Sequence, residues 1–590
     1  MRFQEHRSWG DLPFVQSCFD RPEFGTLPTL SPRFPFRGYR WPVVLSIVVG
    51  GLWALPFLFP STAGIAWFIP GIVFLTAGSS TRLSPFQMGY LTGLYFHLTG
   101  LYWLLFMPVR VGALLGWVCL SAYCALFPAI WAFFVWRMLP SISRQQNAGT
   151  NRTAGLARLA QLTWIQRQLW ALVGASGWVS IEMLQAHLLT GFPWNFLGTS
   201  QVDLLPLIQL ASVTGVYGVS FLIAWVSLSL LLAMSRLIEH PGHPFSWSRE
   251  LALAGGSLIL VTGLGFLRIQ SATLPDRILR IALIQPSVSQ REIWEGTRAE
   301  ERLSDLLELS TSALSHQPDL MVWPESALPS SIPFSERVPA FIAEHQIPLI
   351  FNEVDLRPSD PAGTRSNQYF NAAFAMNRSG IILDVAHKHQ LVMFGEYMPL
   401  ANRFPILRAF SPIGIDFSQG KKPGILELPE LSLTLGSLIC FEDAFPRLAR
   451  ATAQVGPDFL INLTNDAWFG ESMAHWQHAR GAIFRAIETG LPLVRAANNG
   501  ISCWIDPYGR LGLGKIDQPN DVYKRGYKIV QIPIPEPTLH PRTIYLRDGN
   551  VFGWLCVSAN LALLFLRELF RFRGSNHDSN FDIDLLRDPV

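Results

Sequence analysis

Charge is scarce in this 590-residue chain. Asp, Glu, Lys and Arg make up only 15% of it, against about 25% in an average soluble domain. The net charge is +3, with no long basic run. Those absences exclude the electrostatic footprint of a nucleic-acid binder and the charge-rich, apolar-poor make-up of a disordered chain. Cysteine is scarce too, and 6 in a chain of this size do not form a disulfide framework. No P-loop, no GxGxxG after a strand and no HExxH occurs. The GxSxG elbow of serine hydrolases is also missing. No cofactor and no metal is therefore expected.

What is abundant is apolar. Hydrophobic residues reach 49%, with 40 Phe and 20 Trp, and they are unevenly spread. Long apolar runs at about 42–60, 63–79, 85–108, 111–136, 168–189, 207–235 and 250–269 each approach the ~20 residues that cross a bilayer. A stretch of ordinary polarity follows, then a last run at Val551–Leu569. The expected organisation is an N-terminal arm (1–40), seven transmembrane helices (41–270), a soluble domain (279–537), an eighth helix (550–571) and a polar tail (572–590).

Arginines set the orientation. They collect before the first run (Arg2, Arg7, Arg21, Arg33, Arg37, Arg40) and between the fourth and fifth (Arg137, Arg144, Arg152, Arg158, Arg167). Others lie between the sixth and seventh (Arg236, Arg249) and in the tail (Arg567, Arg571, Arg573, Arg587), while the alternate loops hold little beyond Arg110. The positive-inside rule then puts both termini in the cytoplasm and the soluble domain on the other side. Few ionisable residues fall inside the runs (His97, Glu182, His187), which speaks against a transporter. Gly191–Asn195 and Leu101–Trp103 fit either an interfacial aromatic belt or contacts to a lipid-borne substrate.

The soluble stretch alternates short β-branched runs with amphipathic segments. Strands are predicted at Leu279–Gln285, Leu320–Trp323, Pro348–Asn352, Tyr369–Met376, Ile381–Ala386, Leu433–Ile439, Phe459–Leu463, Leu493–Ala497 and Ile501–Ile505. Helices are predicted at Arg298–Ser315 and His475–Glu488, and hairpin turns at Asn377–Gly380 and Asp506–Gly509. This is a layered α/β pattern.

Three reactive residues lie just past predicted strands: Glu325, Lys388 and Cys440. Strand ends are where layered α/β folds gather catalytic groups. At a strand-to-helix turn, helix N–H groups and the dipole would favour the thiolate of Cys440. Glu325 could exchange its proton, and Lys388 could stabilise an oxyanion. Together these groups suit acyl transfer through a thioester. Each residue alone also has a bland reading: a core thiol, a capping carboxylate, a solvated lysine.

The surrounding wording narrows the choice. Trp323-Pro324-Glu325-Ser326-Ala327, Lys388 followed by Leu391–Tyr397, and Cys440-Phe441-Glu442 resemble the three signature segments of the nitrilase superfamily. With this topology, the chain from Trp41 to Arg571 resembles the bacterial apolipoprotein N-acyltransferase family. Gln285-Pro286 with Trp294, Asn465–Gly470, Arg480 with Arg485, Arg495–Gly500, Gly191–Trp194 and Gly215–Gly218 agree with it. The chain departs at Met393 (usually Pro), Ala386 (often Tyr) and Phe441 (commonly Tyr).

The resemblance implies an α-β-β-α sandwich beside a helical membrane part. It implies Glu325 as base, Lys388 as oxyanion stabiliser and Cys440 as nucleophile. Glu396 would orient Lys388, the Phe441 N–H would join the oxyanion hole, and Trp294, Glu442 and Trp194 would contact substrate. The donor would be a phospholipid, chiefly phosphatidylethanolamine, and the acceptor the α-amine of a diacylglyceryl-cysteine on an apolipoprotein. The expected setting is a monomer in the bacterial inner membrane, with a periplasmic domain and no nucleic-acid partner. The rival readings are a membrane-anchored amidase or nitrilase acting on small soluble substrates, and an inactive transporter or lipid-binding scaffold. Hydrophobic loops at Leu391–Phe394 and Phe404–Ile415 are candidate lids that dip into the interface.

Overall fold

The structure, a computed structural model, describes residues 40–139, 154–240, 242, 244–271, 277–295, 298–329, 336–358, 367–401, 403–404, 406, 416–512, 521–534 and 543–581. The N-terminal arm, most of the Phe404–Ile415 loop and the end of the tail lie outside them.

Among the described residues, eleven α-helices precede the soluble domain: α1 (Arg40–Leu58), α2 (Ile69–Ala77), α3 (Pro85–Gly100), α4 (Arg110–Cys124), α5 (Leu126–Arg137), α6 (Ala154–Ala160), α7 (Trp164–His187), α8 (Leu205–Ile208), α9 (Ala211–Thr214), α10 (Val216–Glu239) and α11 (Pro244–Gln270). Among the described residues, six helical runs are long and apolar enough to cross a membrane: Arg40–Leu58, Pro60–Ala77, Arg110–Arg137, Val216–Glu239, Phe245–Gln270 and Val551–Leu569. At 85–108 and 168–189 the structure has α3, which is only 16 residues long, and the more polar 24-residue α7. α3 packs against α1 and α5, and α7 against α5 and α10.

The run predicted at 207–235 is not one helix. It breaks at Gly215 (φ +69), where a Cβ would lie 2.6 Å from the Tyr545 ring. Only glycine meets both demands, and α10 starts immediately after it. Small residues also set helix spacing: a Cβ on Gly50 would sit 2.7 Å from the Thr92 carbonyl of α3.

Among the described residues, the soluble domain contains two six-stranded sheets. One has the order β12-β1-β2-β3-β4-β5 and the other β11-β10-β9-β8-β7-β6. The strands are β1 (Arg277–Gln285), β2 (Leu320–Val322), β3 (Leu349–Pro358), β4 (Asn367–Met376), β5 (Ile382–His387), β6 (Gly424–Leu428), β7 (Leu433–Ile439), β8 (Phe459–Thr464), β9 (Leu493–Ala497), β10 (Cys503–Ile505), β11 (Leu511–Gly512) and β12 (Gly526–Ile534). The helices here are α12 (Gln290–Glu295), α13 (Ala299–Leu314), α14 (Arg337–His345), α15 (Pro446–Ala453) and α16 (Ala474–Thr489). A short α17 (Ile544–Asp548) then leads into α18 (Val551–Phe581).

Period-2 alternation builds the layers. On β1, Ile281 and Leu283 join Leu435, Ile461 and Val494 between the sheets, while Ala282 and Ile284 face Leu303, Leu306 and Ile342 on α13 and α14. The outer face of the second sheet packs on α15 and α16, and that apolar cluster continues without a break into the membrane helices. The result is an α-β-β-α sandwich.

All nine predicted strands and both hairpins are present. The sequence reading missed β6, β11 and β12. In β12, Pro533 masks the pattern, yet it is tolerated because β12 is an edge strand paired only to β1.

Candidate active site

Glu325, Lys388 and Cys440 come together at one end of the two sheets. Lys388 immediately follows β5, and its N–H donates to the Asn371 carbonyl of β4 (2.8 Å). Its ammonium is buried, 2.8 Å from Glu396 Oε1 and 3.7 Å from Glu325 Oε1. Asn371 Nδ2 donates to both carboxylates, at 2.9 Å to Glu325 and 3.0 Å to Glu396. Asn352 Nδ2 in turn fixes Asn371 Oδ1 (2.6 Å). Glu325 Oε2 is buried with no hydrogen-bond partner, and the Cys440 thiol lies close enough for the two groups to influence each other's ionisation.

Electrostatics divide the roles. Burial opposes charge on Lys388, but Glu396 and Glu325 prevail and hold its pKa above the usual lysine value. It is a permanent cation. Burial raises the Glu325 carboxyl above the ordinary range, partly offset by Lys388. Burial also pushes the Cys440 thiol well up, with Glu325 adding to the effect.

This corrects one expectation. The helix dipole does not favour the thiolate, because Cys440 opens a five-residue 3-10 turn, Cys440–Ala444, and α15 begins only at Pro446. The resting thiol is protonated and needs a base. Cys440 also has φ +53 and Ser326, next to Glu325, φ +60. Such left-handed backbone at non-glycine positions is stored strain of the kind that gathers at functional sites.

The turn is held from several sides. Glu442 Oε1 accepts from the His389 and Gln390 N–H groups (both 2.7 Å), and Oε2 from Ile439 N–H (2.8 Å). Burial nevertheless raises this carboxyl to about 7. Asn462 Nδ2 donates to the Cys440 carbonyl (2.8 Å), and Arg495 Nη1 anchors Asn462 Oδ1 (2.9 Å). Beneath lies a fully buried charge cluster, with Arg495 on Asp443 (2.6 Å) and Asp466 (2.8 Å), and His478 between the same two carboxylates. Burial and Arg495 oppose protonation of His478, yet the two aspartates raise it to about 9.

Glu442 thus supports the loop backbone after Lys388 as well as the nucleophile turn. Trp194 is buried against the site from the membrane side, its ring 6.3 Å from Phe441 and 5.5 Å from His478. Trp194, Trp103 and Asn195 all donate to one oxygen, Gln477 Oε1 on α16, at 2.8, 3.0 and 3.3 Å. The amide of Gln477 donates to the Gly100 carbonyl (3.1 Å). Trp294 stands apart: it is 40% exposed on α12 and packs edge-to-face on Trp468. Leu391 is buried, while Phe394 is 58% exposed at φ +64. Cys440 and Cys503 are both free.

Sequence reasoning missed Asn371, Asn462, Asp443, His478 and Gln477. A signal existed for two of them. Asn371 in the predicted strand Tyr369–Met376 and Asn462 in Phe459–Leu463 are each the single amide of an otherwise apolar run, and a buried amide must find partners.

A half-buried thiol, a carboxylate with one open oxygen and a fixed cation define a nitrilase-type centre, set in a protein that is also membrane-embedded. Residues 280–520 match the carbon-nitrogen hydrolase domain, and residues 49–229 the apolipoprotein N-acyltransferase N-terminal domain. The apolipoprotein N-acyltransferase of Geobacter metallireducens is 32% identical over 94% of this chain and 98% of its own. That of Agrobacterium fabrum is 30% identical over 82% and 89%, and that of Rickettsia prowazekii 28% over 86% and 94%. Among solved structures, an amidase from Nesterenkonia sp. is similar at 20% identity, covering 47% of this chain and 96% of that one with a TM-score of 0.31. The chain belongs to the apolipoprotein N-acyltransferase family.

Proposed function

We propose that the chain moves an acyl group from a phospholipid to Cys440 and then to the α-amine of an S-diacylglyceryl-cysteine at the N-terminus of an apolipoprotein. Phosphatidylethanolamine is the proposed main donor. The observation that carries this reading is the continuity of the site with the membrane helices through Trp194, Phe441 and Gln477. A small soluble amide would not require it.

In the first half, Cys440 Sγ attacks the donor ester carbonyl while Glu325 takes the thiol proton. Lys388 and the Phe441 N–H stabilise the oxyanion. Collapse breaks the C–O bond, Glu325 returns the proton to the departing alkoxide, and a lysophospholipid leaves. In the second half, the amine attacks the thioester, Glu325 takes its proton and passes it to the leaving thiolate. Glu396 orients Lys388, Glu442 supports the turn that bears Cys440 and Trp194 lines the pocket, while Trp294, exposed on α12, is an outlying substrate contact. The raised Glu325 carboxyl suits both directions of proton transfer.

The proposed setting is a monomer in the inner membrane, with seven helices before the sandwich and one after, and the sandwich in the periplasm. A synthetic diacylglyceryl-cysteine peptide incubated with the full-length protein and phospholipid gains the mass of one acyl chain. Release of free fatty acid with no gain on the peptide means a hydrolase instead.

A further inference from the structure

We propose that Arg447 forms a phosphodiester-recognising subsite that selects a phosphorus-bearing lipid as the acyl donor. This rests on the reading of Cys440 as the residue acylated from lipid.

Arg447 lies in the first turn of α15, seven residues beyond Cys440. Its Nη2 donates to Gln390 Oε1 (2.7 Å) and to the Thr190 carbonyl (3.3 Å). Nε is buried with no partner. All its hydrogen-bond partners among the described residues are neutral oxygens, and no carboxylate pairs with it. Two neighbouring buried arginines are neutralised: Arg485 by Glu488 and Arg495 by Asp443 and Asp466. A cation left without an anion in a partly desolvated setting is costly, unless a ligand brings the negative charge.

The surroundings say which ligand. On one side, Gln390 belongs to the loop after Lys388, and its N–H is fixed by Glu442 beside Cys440. The guanidinium also lies over the Phe445 ring, 5.1 Å away, and Phe445 packs edge-on against Phe441 at 4.9 Å. Arg447 is therefore two aromatic rings from the turn that bears the thiol.

On the other side, Thr190 ends a loop with Leu188 48% and Leu189 72% exposed, and with φ +50 at Leu189 and +76 at Thr190. The Leu188 carbonyl accepts from Tyr123 OH (3.0 Å). Tyr123 is about 20 Å along the apolar run that begins at Arg110. Tyr123 is the last residue but one of α4, inside an apolar run long enough to span a membrane, so the loop with its exposed leucines lies against a candidate membrane span.

A glycerophospholipid entering this seam carries one obligatory anion, its phosphodiester, a few bonds from the ester carbonyl. Guanidinium matches phosphate oxygens in charge and geometry. The diacylglyceryl-cysteine acceptor has no phosphate, so the subsite acts only in the first half-reaction.

The test follows acylation of Cys440 by intact mass in the full-length protein in detergent, with two donors: a dipalmitoyl glycerophospholipid and the neutral ester p-nitrophenyl palmitate. For Arg447→Gln the phospholipid concentration at half-maximal rate rises tenfold or more, and Arg447→Lys falls between. The neutral ester keeps its wild-type dependence, and transfer from preformed acyl-enzyme to a peptide amine keeps its rate. Equal losses with both donors mean a structural role and overturn the proposal; so does wild-type behaviour with the phospholipid. If wild-type Cys440 takes an acyl group from neither donor, the underlying reading of the thiol fails first, and the subsite with it.

Discussion

Replacing Asn462 by alanine is expected to slow acylation of Cys440 about tenfold without changing the donor's half-saturating concentration. Cys440 sits at φ +53, a conformation that costs a non-glycine residue about 1–2 kcal/mol. Asn462 is fully buried beneath it, and its Nδ2 holds the Cys440 carbonyl at 2.8 Å. One such bond contributes up to about 1.5 kcal/mol, comparable to the strain it offsets. Without it the turn relaxes, and since about 1.4 kcal/mol is a factor of ten, the reactive geometry falls to roughly a tenth of the population. Arg495 keeps Asp443 and Asp466, so the variant folds, with a stability loss of about 1–3 kcal/mol from the unmet groups. Single-turnover acylation read by intact mass, alongside a thermal melt, checks it. A folded Asn462→Ala protein that acylates at the wild-type rate refutes the reasoning. So does a loss confined to donor affinity.

Three further outcomes follow from the same geometry. Because burial raises the Glu325 carboxyl, acylation declines with falling pH through a limb above the ordinary carboxylate range of about 4.3; protonated Glu325 cannot take the thiol proton, and Glu325→Gln lacks the reaction. A limb at or below pH 4 in single-turnover profiles would contradict this. For Glu442, at about 7 in the folded state and about 4.3 unfolded, the folded state binds more protons. Its contribution is full below pH 4.3 and is lost as pH rises to 7, by about 3 kcal/mol; denaturant melts of Glu442→Gln lose that slope. Gln477→Leu strands the Trp103, Trp194 and Asn195 donors, so the melting free energy drops by at least ~2 kcal/mol. An unchanged melt would mean that the junction between membrane helices and sandwich does not depend on that amide.

How much was legible in the sequence depends on distance along the chain. Strands such as Leu433–Ile439 and Phe459–Leu463 show themselves because their apolar runs are local and uninterrupted. Glu325, Lys388 and Cys440 were legible because each follows such a strand and stands in a distinctive segment. β12 was not, since its place beside β1 is fixed by a partner some 250 residues earlier. The state of Cys440 was misread for a related reason. Local sequence suggests a helix start that favours thiolate, but its ionisation is set by burial and by Glu325, 115 residues away. Gln477 looks like any polar helix residue until three donors from the connections between the membrane-part helices converge on it. The break at Gly215 was hidden because apolar composition on both sides reads as one span.

The most direct test of the account is the intact mass of the wild type and of Cys440→Ala after incubation with a defined phospholipid and no acceptor. The wild type is expected to gain one acyl chain, removed by neutral hydroxylamine as a thioester is, while Cys440→Ala gains nothing. An unmodified wild type, or an equal gain on Cys440→Ala, contradicts the account.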